Sequence, residues 1–193
     1  MSVEQTTKSY LPLVEKYVVD SFSKDGKLST RGKHLLKTKD WLLKLYPEAD
    51  EAMQIAAVAH DIDSAFVEYT GDSGFNDPDY LRDHQIGAAA VLGNFLDENG
   101  VDVEIIEKVK HLVEKHEVGG DDGQNMVKDA DSLGFFDRDL HDFINRHLAK
   151  GSDKDKIREK FDWMYDRITS SHAKAFAKPM YDEAIRLLGE LDK

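Results

Sequence analysis

Along this chain of 193 residues, apolar side chains recur at spacings of three and four, and no segment sustains the alternation of a half-buried strand. The pattern predicts helices over residues 6–22, 30–45, 48–62, 78–98, 102–117, 124–132, 136–149, 153–169 and 178–191, which makes the fold class all-α. Pro47 suits a helix start, and Gly100, Gly151 and the stretch from Gly119 to Gly123 are breakers. The run Ile55-Ala-Ala-Val-Ala59 is apolar nearly all round, so the 48–62 helix is expected at the centre. The longest irregular piece, Thr70 to Asp79, lies between two of the longer helices and is placed to act as a lid. The length suits one domain with a sizeable core. No repeat, low-complexity tract or linker divides it, so residues 1–193 read as a single unit.

Four histidines interrupt the apolar stripes. Each helical residue turns about 100° from the last. Around Val109, the residues Ile105, Ile106, Leu112 and Val113 form one face with His116 in its middle, whereas His111 points to the far side among Lys108 and Lys115. His34 joins Leu35, Thr38, Trp41, Leu42 and Leu45. His60 joins Ala49, Ala52, Met53, Ala56 and Asp63, and His84 joins Leu81, Ala88, Val91, Leu92 and Phe95. A single histidine on such a stripe is commonly a hydrogen-bonded core residue. His147, at the edge of the Leu140, Ile144 and Leu148 stripe, reads that way, and His141 and His172 sit in no pattern. Four inward imidazoles on four helices need a shared partner, because burying each alone leaves unsatisfied polar groups. A metal is such a partner, and histidine with carboxylate is the ligand set of hydrolytic and oxidative metal sites.

In chain order, His34, the pair His60-Asp61 behind its apolar run, and Asp131 within Ala130-Asp131-Ser132-Leu133 resemble the signature of the HD-domain metal-dependent phosphohydrolase superfamily. The resemblance covers about residues 31–136 and leaves 137–193 as a C-terminal helical extension. It implies a single-domain HD-type helical bundle in which His34, His60, Asp61 and Asp131 hold a first metal. Helical phase does not choose between Asp129 and Asp131; the family pattern favours Asp131. A subset of the superfamily binds two metals through two further histidines, and His84-Gln-Ile-Gly87-Ala88 and His116-Glu117-Val-Gly119-Gly120 are similar to its two extra motifs. Glu117 departs from members with a second adjacent histidine there, and Asp63 departs from members with a small residue after the Ile. Adjacent residues on a helix diverge, so His60 and Asp61 serve one site only if a metal lies between them or Asp61 bridges two metals.

The resemblance implies hydrolysis of a nucleotide or other small phosphoester by metal-activated water, whose pKa the ion lowers toward about 7. Asp61, Asp63 and Asp129 are the candidate catalytic carboxylates, the last two as proton relays. Lys33, Arg82 and Arg167 are the candidate phosphate-binding cations. The cofactor would be a divalent transition metal, one or two ions of Mn, Fe, Co, Ni or Zn. Two alternatives carry different chemistry: a mixed-valent di-iron oxygenase of the same fold, and a non-catalytic nucleotide-binding regulatory module.

Composition narrows the partners. The chain has no cysteine, which removes disulfides, iron–sulfur clusters and thiolate zinc sites and fits a reducing cytoplasm. No run of about 18 apolar residues exists to span a membrane. The opening Met-Ser-Val-Glu-Gln lacks the basic and apolar regions of a signal peptide. A net charge of −12 opposes binding of nucleic-acid polymers and anionic lipid. It leaves room for a small anionic substrate, because a divalent ion and a few arginines reverse the field inside a cleft. The chain contains no Gly-rich phosphate loop and no His-Glu-x-x-His, and the acidic loop from Asp72 to Asp79 lacks EF-hand spacing.

Overall fold

The computed structural model describes residues 9–67 and 75–190. The helices are α1 (Leu11–Phe22), α2 (Thr30–Leu45), α3 (Glu51–Ala59), α4 (Pro78–Glu98), α5 (Val103–Val113), α6 (Asp122–Gly134), α7 (Leu140–Ala149), α8 (Lys154–Asp166) and α9 (Ser171–Glu190). A 3₁₀ turn over Ile62–Ala65 follows α3, and a π-helical turn over Phe135–Asp139 joins α6 to α7. Residues 6–8 of the first expected helix, and residues 70–74 of the candidate lid, lie outside the described residues. No described helix is long and apolar enough to cross a membrane.

The expected central helix is central. Ile55, Ala56, Ala57, Val58 and Ala59 of α3 are wholly buried, and α1, α2, α5 and α6 pack around them. Alanine has nothing beyond Cβ, so four neighbours can approach one short helix. Three apolar clusters surround this axis. Val14, Val18, Ile55, Leu92, Leu96 and Val109 tie α1, α3, α4 and α5 together. Trp41, Leu42, Leu133, Ile168 and Ala177 join α2, α6 and α9. Phe136, Ile144, Ile157, Phe161 and Leu188 join the π turn to α7, α8 and α9. Each large side chain so buried contributes roughly 1.5–3 kcal/mol. Side-chain caps set the starts: Asp50 accepts from Met53 N at 3.1 Å, Asp77 from Tyr80 N at 2.9 Å, and Asp121 with Gln124 forms a capping box before α6.

The structure departs from the sequence pattern in five places. The segments expected at 124–132 and 136–149 form one continuous helical rod through the π turn. α3 stops at Ala59 rather than 62, and α5 stops at Val113 rather than 117. α9 begins at Ser171, not 178, and carries Pro179 inside it. Its buried stripe of Ala173, Ala177, Ala184 and Leu188 holds the helix together across the one backbone bond that proline forfeits. Finally, Ser23–Lys24 pairs antiparallel with Lys27–Leu28 in a small hairpin. Its turn residues Asp25 and Gly26 both have positive φ, 51° and 72°, the Asp-Gly requirement of a type I′ turn. Strands of two residues show no alternation, so hydrophobic periodicity could not reveal them.

α2 and α6 pack closely at Gly134, where a Cβ would lie 2.8 Å from Thr38 Oγ1 and 3.5 Å from Thr38 Cα. Overpacking costs about 1–3 kcal/mol, while the helix propensity gained by alanine over glycine returns about 1 kcal/mol. Gly134→Ala is therefore expected to lower the urea midpoint at unchanged slope. A raised midpoint would refute the tight α2–α6 contact.

Candidate metal centre

The end of α3 solves the divergence of His60 and Asp61. His60 keeps helical angles (φ −56°, ψ −29°), whereas Asp61 leaves them (φ −107°, ψ 21°). His60 Nε2 and Asp61 Oδ1 consequently face each other across 3.8 Å. His116 likewise lies beyond its helix, in the turn after α5, and is wholly buried. Both rings are oriented by the backbone three residues earlier: His60 Nδ1 donates to Ala57 O at 2.9 Å and His116 Nδ1 to Val113 O at 2.8 Å. A neutral imidazole that donates through Nδ1 presents a lone pair at Nε2. Both Nε2 atoms are buried without a hydrogen-bond partner.

Carboxylates meet these nitrogens. His34 Nε2 is 2.9 Å and His60 Nε2 3.4 Å from Asp131 Oδ1. His84 Nε2 is 2.8 Å and His116 Nε2 3.3 Å from Asp61 Oδ1. Glu117 Oε1 stands 4.0 Å from His116 Nε2. The donor atoms form two groups, His34 with His60 and Asp61, and Asp61 with His84, His116 and Glu117, each with its atoms within 4.8 Å of one another. Asp61 belongs to both, and Asp131 borders the first. The six residues expected as ligands are thus brought together, and Glu117 joins them in the position where the resemblance suggested a second histidine.

The two oxygens of each carboxylate do different work. Asp61 turns Oδ1 to the imidazoles and Oδ2 to the Arg31 guanidinium. Asp131 turns Oδ1 to His34 and His60, and Oδ2 to Arg167. Glu117 turns Oε1 toward His116 and Oε2 to Arg167. Two outer carboxylates hold the remaining imidazole nitrogens: Asp139 Oδ2 is 2.8 Å from His34 Nδ1, and Asp63 Oδ2 is 2.8 Å from His84 Nδ1. Burial opposes ionisation of Asp61, yet Arg31 and then His60 hold it well below the usual carboxylate range. Burial is likewise overridden at Asp131 by Arg167 and His60. Burial pulls His34 and His84 down, but their carboxylate partners raise both to about 10. Ionised oxygens and unpartnered nitrogen lone pairs converging in a buried space are costly without a cation between them. These residues fit one or two divalent ions, and nitrogen and oxygen donors without thiolate suit a transition metal.

Of the other expected residues, all but Arg167 lie away from this centre. Asp129 accepts from Thr169 N and Ser170 N, both at 2.8 Å, and fixes the approach to α9; burial raises its carboxyl. Lys33 is exposed on α2. Arg82 is at the surface with Asp79 and Asp83. His111 is exposed and bonded to Asp121 at 2.6 Å. Arg167 is at the centre, but its guanidinium is taken up by Asp131, Glu117 and Ser132.

Sequence reading missed Arg31, Asp139 and Lys160. Asp139 is eight residues after Asp131, about 80° away on an ideal α-helix. A π turn that absorbs one residue brings it to about 20°, and periodicity gives no sign of that insertion. Lys160 had a signal, since it shares a face of α8 with Trp163 and Arg167 at spacings of three and seven. Burial pushes its ammonium down to about 8, with Glu117 opposing. These side chains line a cleft of about 280 Å³ that includes Arg31, His34, Asp61, Glu117, Asp131 and Asp139, together with Phe75, Phe143, Arg146, His147, Lys160 and Arg167. The extension beyond residue 136 therefore builds a wall of the site as well as packing against the bundle.

A family model described as a domain of unknown function, DUF4202, matches residues 20–188. No curated protein and no solved structure matches the chain.

Elemental analysis of protein purified without added metal is expected to find about two divalent ions per chain. Asp61→Ala should empty both positions and His84→Ala one, while His111→Ala leaves the content unchanged. Metal retained by Asp61→Ala would refute the shared carboxylate. Proton release gives a second check. At pH 7.5 the metal-free chain carries protons on His34 and His84, whose pKa values of about 10 lie above that pH, and a ligating imidazole must be neutral. Titration calorimetry in buffers of different ionisation enthalpy should show protons leaving on metal binding, and affinity should fall as pH is lowered.

Proposed function

We propose that this chain, which belongs to the DUF4202 family, is a metal-dependent phosphohydrolase acting on a nucleotide or other small phosphoester. One observation carries the reading: two donor groups share Asp61 beside a cleft that also gathers four cations, Arg31, Arg146, Lys160 and Arg167, on a chain of net charge −12. Floor and wall thus match the two ends of a phosphoryl group's needs, a site for divalent cations and a positive surface for oxyanions.

His34, His60, Asp61, Asp131, His84, His116 and Glu117 would hold the metal, which when bound supplies an acidified water and neutralises phosphoryl oxygen. The chain's own groups hold that arrangement ready. Arg31 and Arg167 fix the outer oxygens of the three carboxylates, so the inner oxygens need no reorganisation. Asp139 Oδ2 and Asp63 Oδ2 hold the Nδ1 positions of His34 and His84, and the carbonyls of Ala57 and Val113 hold those of His60 and His116. Such orientation of ligating imidazoles by outer groups commonly accounts for 10–100-fold in metal affinity or activity. Phe75 and Phe143 border the cleft with apolar surface.

The di-iron oxygenase reading uses the same shared carboxylate and is separated by products. The metal-loaded chain is expected to release phosphate from members of a phosphomonoester and nucleotide panel, with chelator abolishing turnover and no oxygen consumed. Iron as the isolated metal, a visible band from bridged iron, and oxygen uptake without phosphate release would replace this reading with the oxygenase. No turnover on either chemistry, with a nucleotide raising Tm, would leave a regulatory binding module.

A further inference from the structure

The cations of the cleft are not equivalent. Arg31 is engaged by Asp61, Arg167 by Asp131 and Glu117, and Arg146 Nε donates to Asp142 O at 3.3 Å. Lys160 has neither an ion pair nor a hydrogen bond with any described residue. Its ammonium sits instead among aromatic rings, 4.2 Å from the Trp163 centroid, 5.0 Å from Phe75 and 5.9 Å from Phe135. Ring faces attract a cation but accept its three N–H groups poorly. The result is a pre-positioned positive charge with donors to spare, in the same cleft as the metal-binding side chains. An incoming phosphoryl group would have to compete with carboxylates for Arg31 or Arg167. Among the described residues no carboxylate is ion-paired to Lys160 or to Arg146, and of these two Lys160 is the one held in place, half-buried against aromatic rings with Glu117 farther off, whereas Arg146 is exposed.

Charge also discriminates between phosphate classes. The four cations lining the cleft are matched by four carboxylates, Asp61, Glu117, Asp131 and Asp139. Asp63 beside His84 adds a fifth carboxylate, and the ligating imidazoles shed their protons, yet even one divalent ion then leaves the site net positive. A dianionic phosphomonoester offsets that excess better than a monoanionic diester.

Resting on the phosphohydrolase reading, we propose that Lys160 is the substrate's oxyanion anchor and that the cleft selects phosphomonoesters over phosphodiesters. Lysine suits the task because its charge is compact and its three donors rotate to follow an oxygen, whereas Arg31 is turned to Asp61 and Arg167 is spread over Asp131, Glu117 and Ser132. Trp163 and Phe75 hold the ammonium in place without neutralising it.

The test uses the metal-loaded full chain titrated with inorganic phosphate and, separately, with dimethyl phosphate. Lys160→Met keeps the apolar stem among the rings and removes the charge. It should leave metal content and Tm unchanged and weaken phosphate binding by about tenfold or more, with Lys160→Arg restoring most of the affinity. Wild type should bind dimethyl phosphate at least about tenfold more weakly than phosphate. If Lys160→Met does not fold, Lys160→Gln is measured in its place. Unchanged phosphate affinity with metal retained overturns the role of Lys160 and leaves the phosphohydrolase reading standing. Loss of metal in the variant overturns it too, because Lys160 would then serve the metal centre. Equal affinity for the two phosphates overturns the monoester preference. Wild type that holds metal and neither binds phosphate nor hydrolyses a phosphoester sinks the underlying reading itself.

Discussion

A carboxylate buried among imidazoles stays ionised only if positive charge or hydrogen-bond donors reach both of its oxygens. Asp61 meets that condition by facing Arg31 on one side and the nitrogens of His60, His84 and His116 on the other. Its position in turn depends on α3 ending at Ala59, one residue before the pair. Had the helix continued, His60 and Asp61 would point roughly 100° apart, and the two donor groups would lose their common member. Around this point the same device recurs at Asp131 and Glu117, with Arg167 serving both. Two arginines therefore orient three carboxylates, and the imidazoles complete the ring.

The bundle is arranged to make such a polar centre tolerable. α3 contributes alanines on most sides, so α1, α2, α5 and α6 close around it, while α2, α4, α6 and the turn after α5 bring His34, His84, Asp131 and His116 within a few ångströms of one another. The segment after residue 136 has a double role. Its apolar face forms a third core cluster, and its polar residues supply Asp139, Arg146, Lys160 and Arg167 to the cleft. The π turn at Phe135–Asp139 is the joint between these roles. It rephases the rod so that Asp139 reaches His34, and π turns are frequent where a helix serves a site.

Charge explains how an acidic chain can present a cleft lined with cations. Net charge sets the distant field, but four cations concentrated beside the candidate metal ligands set the local one. Under the proposed hydrolase reading, Arg31 and Arg167 are committed to carboxylates and Arg146 lies exposed, so substrate binding falls to the cation that aromatic rings hold in reserve.

Much of this was legible in the sequence. Helical periodicity gave the all-α class, and a stripe analysis separated His116 from His111 correctly, because burial of a helix face follows from angle alone. The ordered histidines and aspartates gave the membership of the cluster. Asp129 and Asp131 could not be separated by phase, and contacts made by distant elements decided them: Asp129 holds the backbone before α9, whereas Asp131 meets His34. Arg31 and Asp139 were invisible, one a surface-looking arginine and the other an aspartate displaced by a π turn, whereas Lys160 left a trace only in its spacing from Trp163 and Arg167. The sequence by itself determined which histidines and apolar side chains face inward, since that depends on periodicity. Only the tertiary structure decided which inward groups meet and which atom of each faces the centre, because those depend on where helices end and how separate helices pack.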